Sequence, residues 1–173
     1  DKWNRFSSGH AHELAGFREQ VLQLRERSGA LGNADFSMLC GALASVIGWI
    51  GDNPARVTEA VALETATALL LAENAVETFA RLSPEFPQQV VAMGARLKAS
   101  MDGVPSDVPA PLLDEMSRRA QERLVMAQLV SEIKANLAAI EGALDGFFRD
   151  SGKRGELGAL DGQIKQVLGA LTM

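Results

Sequence analysis

Two imidazoles, one thiol and one misplaced carboxylate are the residues of this chain whose types could do chemistry. The imidazoles, His10 and His12, stand one residue apart near the N-terminus. A catalytic triad needs a nucleophile, a base and an orienter, and these two are the only candidate imidazole bases. As metal ligands they are poorly spaced. On a helix, residues two apart diverge by about 200°, whereas i, i+4 pairs share a face. Glu13 is the only nearby third ligand, so the sequence gives no metal site. Cys40 falls on or beside an apolar helical face, which reads as a small core residue rather than a nucleophile. Glu64 lies inside an apolar stripe of Val57, Val61 and Ala68. A carboxylate there is costly unless paired, so it is expected to snorkel or to meet an arginine such as Arg18 or Arg25. The 16 glycines are scattered, and neither GxGxxG nor GxxxxGK occurs. Without such a loop no nucleotide cofactor is expected.

The elements that would position these groups are all helical. Aliphatic residues dominate the 47% apolar content, aromatics are 5%, and tyrosine is absent. That usage suits helix-on-helix packing. The net charge of −5 comes from 17 basic and 22 acidic residues with no basic run, which argues against nucleic acid as a partner. A single cysteine excludes an intrachain disulfide and fits a reducing compartment. No uninterrupted apolar run approaches the roughly 20 residues of a membrane span. No charged-then-apolar leader opens the sequence. The expectation is a cytoplasmic protein. Asp1 at one end, and Met173 inside an apolar helical pattern at the other, read as a piece of a longer chain.

No segment alternates long enough for a strand, so the fold class is all-α. A first helix over about 10–28 carries Leu14, Phe17, Val21 and Leu24. Asn33 or Asp35 caps a second, whose face holds Phe36, Leu39, Leu43, Val46, Ile47 and Ile50. Pro54 suits the first turn of a third helix with Asn53 as cap, running to about residue 82. That helix is apolar on several sides and is expected at the centre of the bundle. A fourth runs from Pro84 and Pro87 to about Met101. The linker DGVPSDVPAP, with three prolines and a glycine, marks a boundary. The domains read as a helical bundle over 1–103, a linker over 104–111 and a long helical hairpin over 112–173. In the hairpin, a helix from Pro111 to about Arg149 would be roughly 55–60 Å long, unless the looser pattern of Leu113, Met116, Ala120 and Leu124 breaks it near residue 125. Its residues Val130, Ile133, Leu137, Ile140, Leu144 and Phe147 repeat like a coiled-coil seam. After a turn at 150–152, a last helix over about 154–173 carries Leu157, Leu160, Ile164, Val167 and Leu171.

That hairpin carries a family resemblance. Residues 133–173, IKANLAAIEGALDGFFRDSGKRGELGALDGQIKQVLGALTM, resemble the opening hairpin of a histidine phosphotransfer domain, whose first helix matches Glu132 to Glu141. With FFRD at 147–150 and QVLGALTM at 166–173, the version is most similar to the degenerate phosphotransfer-like repeats of pilus-type chemosensory hybrid kinases, the ChpA/PilL proteins, and of their kinase-less relative FimL. The stretch 49–79 also looks like the helical region upstream of those repeats. The resemblance implies control of type IV pili and twitching motility, with a receiver domain or a polar scaffold protein as partner. In such helices the phosphorylated histidine stands four residues before the glycine that matches Gly169. Here that position is Lys165. A protonated ammonium is a poor nucleophile near neutral pH, so the frame is displayed but chemically silent. The phrase HELAG, residues 12–16, also looks like a phosphotransfer motif, with Ala15 where a lysine would stand. It makes His12 a weak candidate phosphoacceptor, although no helix is expected before it.

Three readings follow. The first is a non-catalytic scaffold, not itself an enzyme, docking a receiver domain through the hairpin, with a possible homodimer through the 130–147 seam. The second is an active phosphotransfer module using His12. The third is a structural or dimerisation spacer within a larger histidine kinase.

Overall fold

Asn33 decides where the most apolar helix of the N-terminal region begins. Its side-chain oxygen accepts a hydrogen bond from the Phe36 amide at 2.8 Å, satisfying one of the orphan donors of the first turn. From there α3 runs over Ala34–Asp52. A computed structural model describes residues 2–7, 11–106, 108–149 and 160–171. Before α3 come α1 (Lys2–Ser7) and α2 (Glu13–Ser28). After it come α4 (Glu59–Glu77), α5 (Phe86–Asp102), α6 (Pro111–Arg149) and α7 (Leu160–Leu171). Short 3-10 turns at Gly29–Leu31, Pro54–Arg56 and Phe79–Arg81 join them. The chain is an all-α helical bundle, and no strand occurs among the described residues.

The chain divides into two compact units, residues 1–124 and 125–173. In the first, α3 is the centre, packing on α2, α4 and α5. Phe36, Leu39, Cys40, Leu43, Val46, Ile47 and Ile50 of α3 are all fully buried. By length and composition alone α3, with 19 residues and a mean hydropathy of 1.5, could cross a membrane. The sequence reading finds no uninterrupted apolar run of about that length, whereas α3 meets the length and composition of one. Here its apolar residues are the core of a helix bundle.

The centre is therefore α3 and not the helix after Pro54. That later helix also starts elsewhere: Pro54–Arg56 forms its own 3-10 turn, and Thr58 caps α4 by accepting from the Val61 amide at 3.3 Å. Several of α4's buried residues are small or hydroxylic, among them Thr65, Ala66, Thr67 and Ala68. Small side chains let α3 and α5 approach closely, and both threonine hydroxyls donate back to carbonyls one turn earlier, Thr65 to Val61 at 2.7 Å and Thr67 to Leu63 at 2.9 Å. Gly103 ends α5 in the left-handed region at φ 73°, which favours glycine.

The proline-rich stretch before Pro111 does not separate the units. Leu113, Met116 and Ala120, on the first turns of α6, are buried in the same core as α2–α5. The division falls inside α6, after Leu124. The prolines stop a helix locally, but they do not prevent the next helix from returning its apolar face to the core it has just left. The second unit comprises the remainder of α6 together with α7, where Leu160 and Val167 are buried. The expected turn at 150–152 and the start of the last helix lie outside the described residues.

Candidate functional site

His12 is the residue before α2, with φ −64° and ψ −20°, and its side chain is 73% exposed. Its Nε2 lies 3.7 Å from Oε1 of Glu13, whose same oxygen is 2.9 Å from Nη2 of Arg5. A helix does precede it, contrary to the sequence expectation: α1 packs on α2 and buries Trp3 against Phe17, ring centroids 5.6 Å apart. Six residues are too few for a periodicity to register. His12 is thus open to solvent, but beside a carboxylate. A phosphoryl group arriving there would bring negative charge toward Glu13. His10 lies outside the described residues. Among the described residues no group of three or more His, Cys, Asp or Glu side chains is placed to hold a metal.

Lys165 lies on α7 in the second unit and is exposed. Counting 100° per residue, it projects from the side of α7 opposite the buried Leu160 and Val167. Gly162 and Gly169, one turn before and after it, share that side and are exposed too. Lys165 therefore has glycines on one flank and, one turn later on the other, the exposed Leu168.

Cys40 is fully buried on α3. Burial pushes its thiol above the usual range, with a hydrogen bond to Ser28 acting in the opposite sense. The thiolate is the nucleophile, so this cysteine serves the core.

Glu64 is resolved by a partner that the sequence expectation did not name. Neither Arg18 nor Arg25 meets it; Arg96 of α5 does. Nε of Arg96 donates to Oε2 at 2.9 Å and Nη2 donates to Oε1 at 2.9 Å, a bidentate pair. Nη1 donates to Oδ1 of Asp114 on α6 at 2.8 Å. One guanidinium ties α4, α5 and α6. Burial alone would pull its pKa down, but the hydrogen bonds and charge of Glu64, and then of Asp114, outweigh it and raise the value. The signal was present in part. Arg96 falls at the edge of the stripe of Val90, Met93 and Leu97, as Glu64 falls inside its own. Two charges on apolar faces of neighbouring helices are a pair waiting to be matched.

The second unit presents one more feature. The expected seam is split lengthwise: Ile133, Ile140 and Phe147 are half-buried, whereas Val130, Leu137 and Leu144 are 41%, 49% and 39% exposed. A helix pair covers one side of an apolar arc, and the arc of α6 is wider than that.

Of these groups, Arg96 with Glu64 and Asp114 has the geometry of a structural clamp. His12 and Lys165 have the exposure a partner needs, one in each unit. No family model, no curated protein and no solved structure matches this chain.

Proposed function

We propose that this chain is a non-catalytic helical docking module of a chemosensory pathway controlling type IV pili and twitching motility, with a receiver domain as its partner. The observation that carries the docking role is the placement of Lys165. It is exposed on α7, with Gly162 and Gly169 on one flank and the exposed Leu168 on the other, so an incoming domain can reach both a cation and an apolar contact there. An ammonium at this place complements the anionic aspartyl phosphate of a receiver, but it does not take over the phosphoryl group as an imidazole would. The pathway is carried by the resemblance of residues 133–173 to degenerate phosphotransfer repeats.

The test is phosphate transfer and binding measured together. The full chain is mixed with a phosphorylated receiver domain from a pilus chemosensory pathway, and acid-labile label and complex formation are followed. The expected result is a complex without label on the chain, weakened by Lys165→Glu. Label that appears on the chain and vanishes in His12→Ala would replace this reading with active phosphotransfer. Absence of both label and complex would leave a structural spacer.

A further inference from the structure

α6 carries a broad apolar arc of which one side is partly covered and the other exposed. Leu129, Ile133, Asn136, Ile140, Ala143 and Phe147 follow a 4-3-4-3-4 spacing and are half-buried. Beside them Met126, Val130, Leu137, Leu144 and Phe148 form a second row, from 39% exposed at Leu144 to 80% at Phe148. The row extends about 33 Å along the helix at 1.5 Å per residue. Single exposed apolar residues are ordinary, but five on one side of a helix, interrupted by the charged Lys134 and Glu141, make a mixed apolar and charged surface suited to a partner.

The charges beside this row choose its occupant. In heptad terms Val130, Leu137 and Leu144 are a positions, and Ile133, Ile140 and Phe147 are d positions. The flanking e positions are Ala127, Lys134, Glu141 and Phe148. Neither Lys134 nor Glu141 has an ion-pair partner among the described residues of its own chain. Being seven residues apart, they lie too far along the helix to pair with each other.

We infer that α6 packs antiparallel against α6 of a second copy of this chain, about a two-fold axis passing level with Ala138 and Ala139. In antiparallel helix pairs, a positions meet d positions and e positions meet e positions across the axis. In this register Val130 meets Phe147 of the second copy, Ile133 meets Leu144, and Leu137 meets Ile140. The same register sets Lys134 opposite Glu141 of the second copy, and by symmetry Glu141 opposite its Lys134. It also sets the most exposed side chain, Phe148, opposite the small Ala127. Apolar layers, ion pairs and steric fit thus agree on one arrangement. A parallel pair fails this test. There g positions face e positions, so Lys134 would meet Leu129 and Glu141 would meet Asn136, with no opposite charges joined. The surface lies wholly on α6 and does not involve the Lys165 side of α7, so the inference is independent of the signalling reading.

The experiment is sedimentation equilibrium of the full chain and of charge-reversed variants, with circular dichroism to confirm that helix content is unchanged. The wild-type chain is expected to reach twice the chain mass as concentration rises. Lys134→Glu or Glu141→Lys alone should weaken the dimer by about tenfold, because each reversal breaks both symmetric pairs and juxtaposes like charges. The double variant Lys134→Glu with Glu141→Lys should restore wild-type association, and Leu137→Asp should abolish it. A chain monomeric at every concentration overturns the inference and assigns the row to another partner. A dimer indifferent to both single reversals, or not restored by the double one, overturns the antiparallel register.

Discussion

Arg96 grips Glu64 with two parallel hydrogen bonds of 2.9 Å, across 32 residues of sequence and between two neighbouring helices. Both side chains are largely shielded from water, at 10% and 15% exposure. A buried pair of this kind contributes little compared with an apolar substitute of equal shape, but losing one member strands the other. Arg96→Ala should therefore cost roughly 3–5 kcal/mol, read from urea denaturation. Asp114, 65% exposed, holds the same guanidinium from α6 in the company of water. Asp114→Asn should cost at most about 1 kcal/mol. Equal losses at Asp114 and Arg96 would mean that the clamp on α6, and not the Glu64 pair, is the stabilising element.

Cys40 offers a direct readout of the core. Its thiol is fully buried and its pKa is held above the ordinary 9.0 by that burial. At pH 8 the native protein should react with a thiol-specific disulfide reagent orders of magnitude more slowly than the unfolded chain, because both access and thiolate are lacking. Addition of urea should release full reactivity in step with the loss of helical signal. Fast labelling of the native protein would show that α3 is not at the centre.

Much of the fold was legible because a helix writes its buried face at 3-4 spacing. The faces of α2 and α3 and the cap at Asn33 follow from that rule and from the chemistry of the first turn. What escaped was what local pattern does not encode. Around α4, Leu69 and Leu70 are half-buried and Val76 is exposed, so apolar residues on several sides did not make it central. The central place goes to α3, which packs on its chain neighbours α2 and α4 and also on the later α5. The partner of Glu64 is a tertiary fact of the same kind. The 130–147 seam was visible as an apolar arc, but spacing does not say which half of an arc is covered. For the site, the residue types singled out His12 and Lys165, and the fold supplies their exposure without bringing them into one unit.

The surface of α6 carries a titration that salt should erase. Glu115 accepts hydrogen bonds from Arg118 and then Arg119, which hold its carboxyl down at about 2 against an ordinary 4.5. A depressed folded pKa favours the folded state above the unfolded value, and that contribution fades as pH falls from about 4.5 toward 2. The group is exposed, so the effect on stability is small and screened. Its carboxyl carbon followed by NMR should titrate well below the other surface glutamates at low ionic strength. In about 1 M salt, where the screening length is about 3 Å, the midpoint should move up toward theirs. An unchanged midpoint would mean that the arginines act by fixed hydrogen bonds and not by charge.

Two adjacent leucines test whether α6 begins as part of the first unit. Leu113 is fully buried in the core shared with α2–α5, whereas Leu112 is 44% exposed. Truncating a buried leucine removes its contacts and leaves a cavity that the surroundings fill only in part. Leu113→Ala should thus destabilise the chain by roughly 2–5 kcal/mol. Leu112→Ala should change stability by no more than about 0.5 kcal/mol, as surface substitutions do. The Leu113→Ala loss should appear in the unfolding of the core that holds Cys40, as earlier release of its thiol reactivity in urea. If Leu113→Ala left Cys40 protected to the same urea concentration, the first turns of α6 would belong to the hairpin and the boundary would return to the proline-rich stretch.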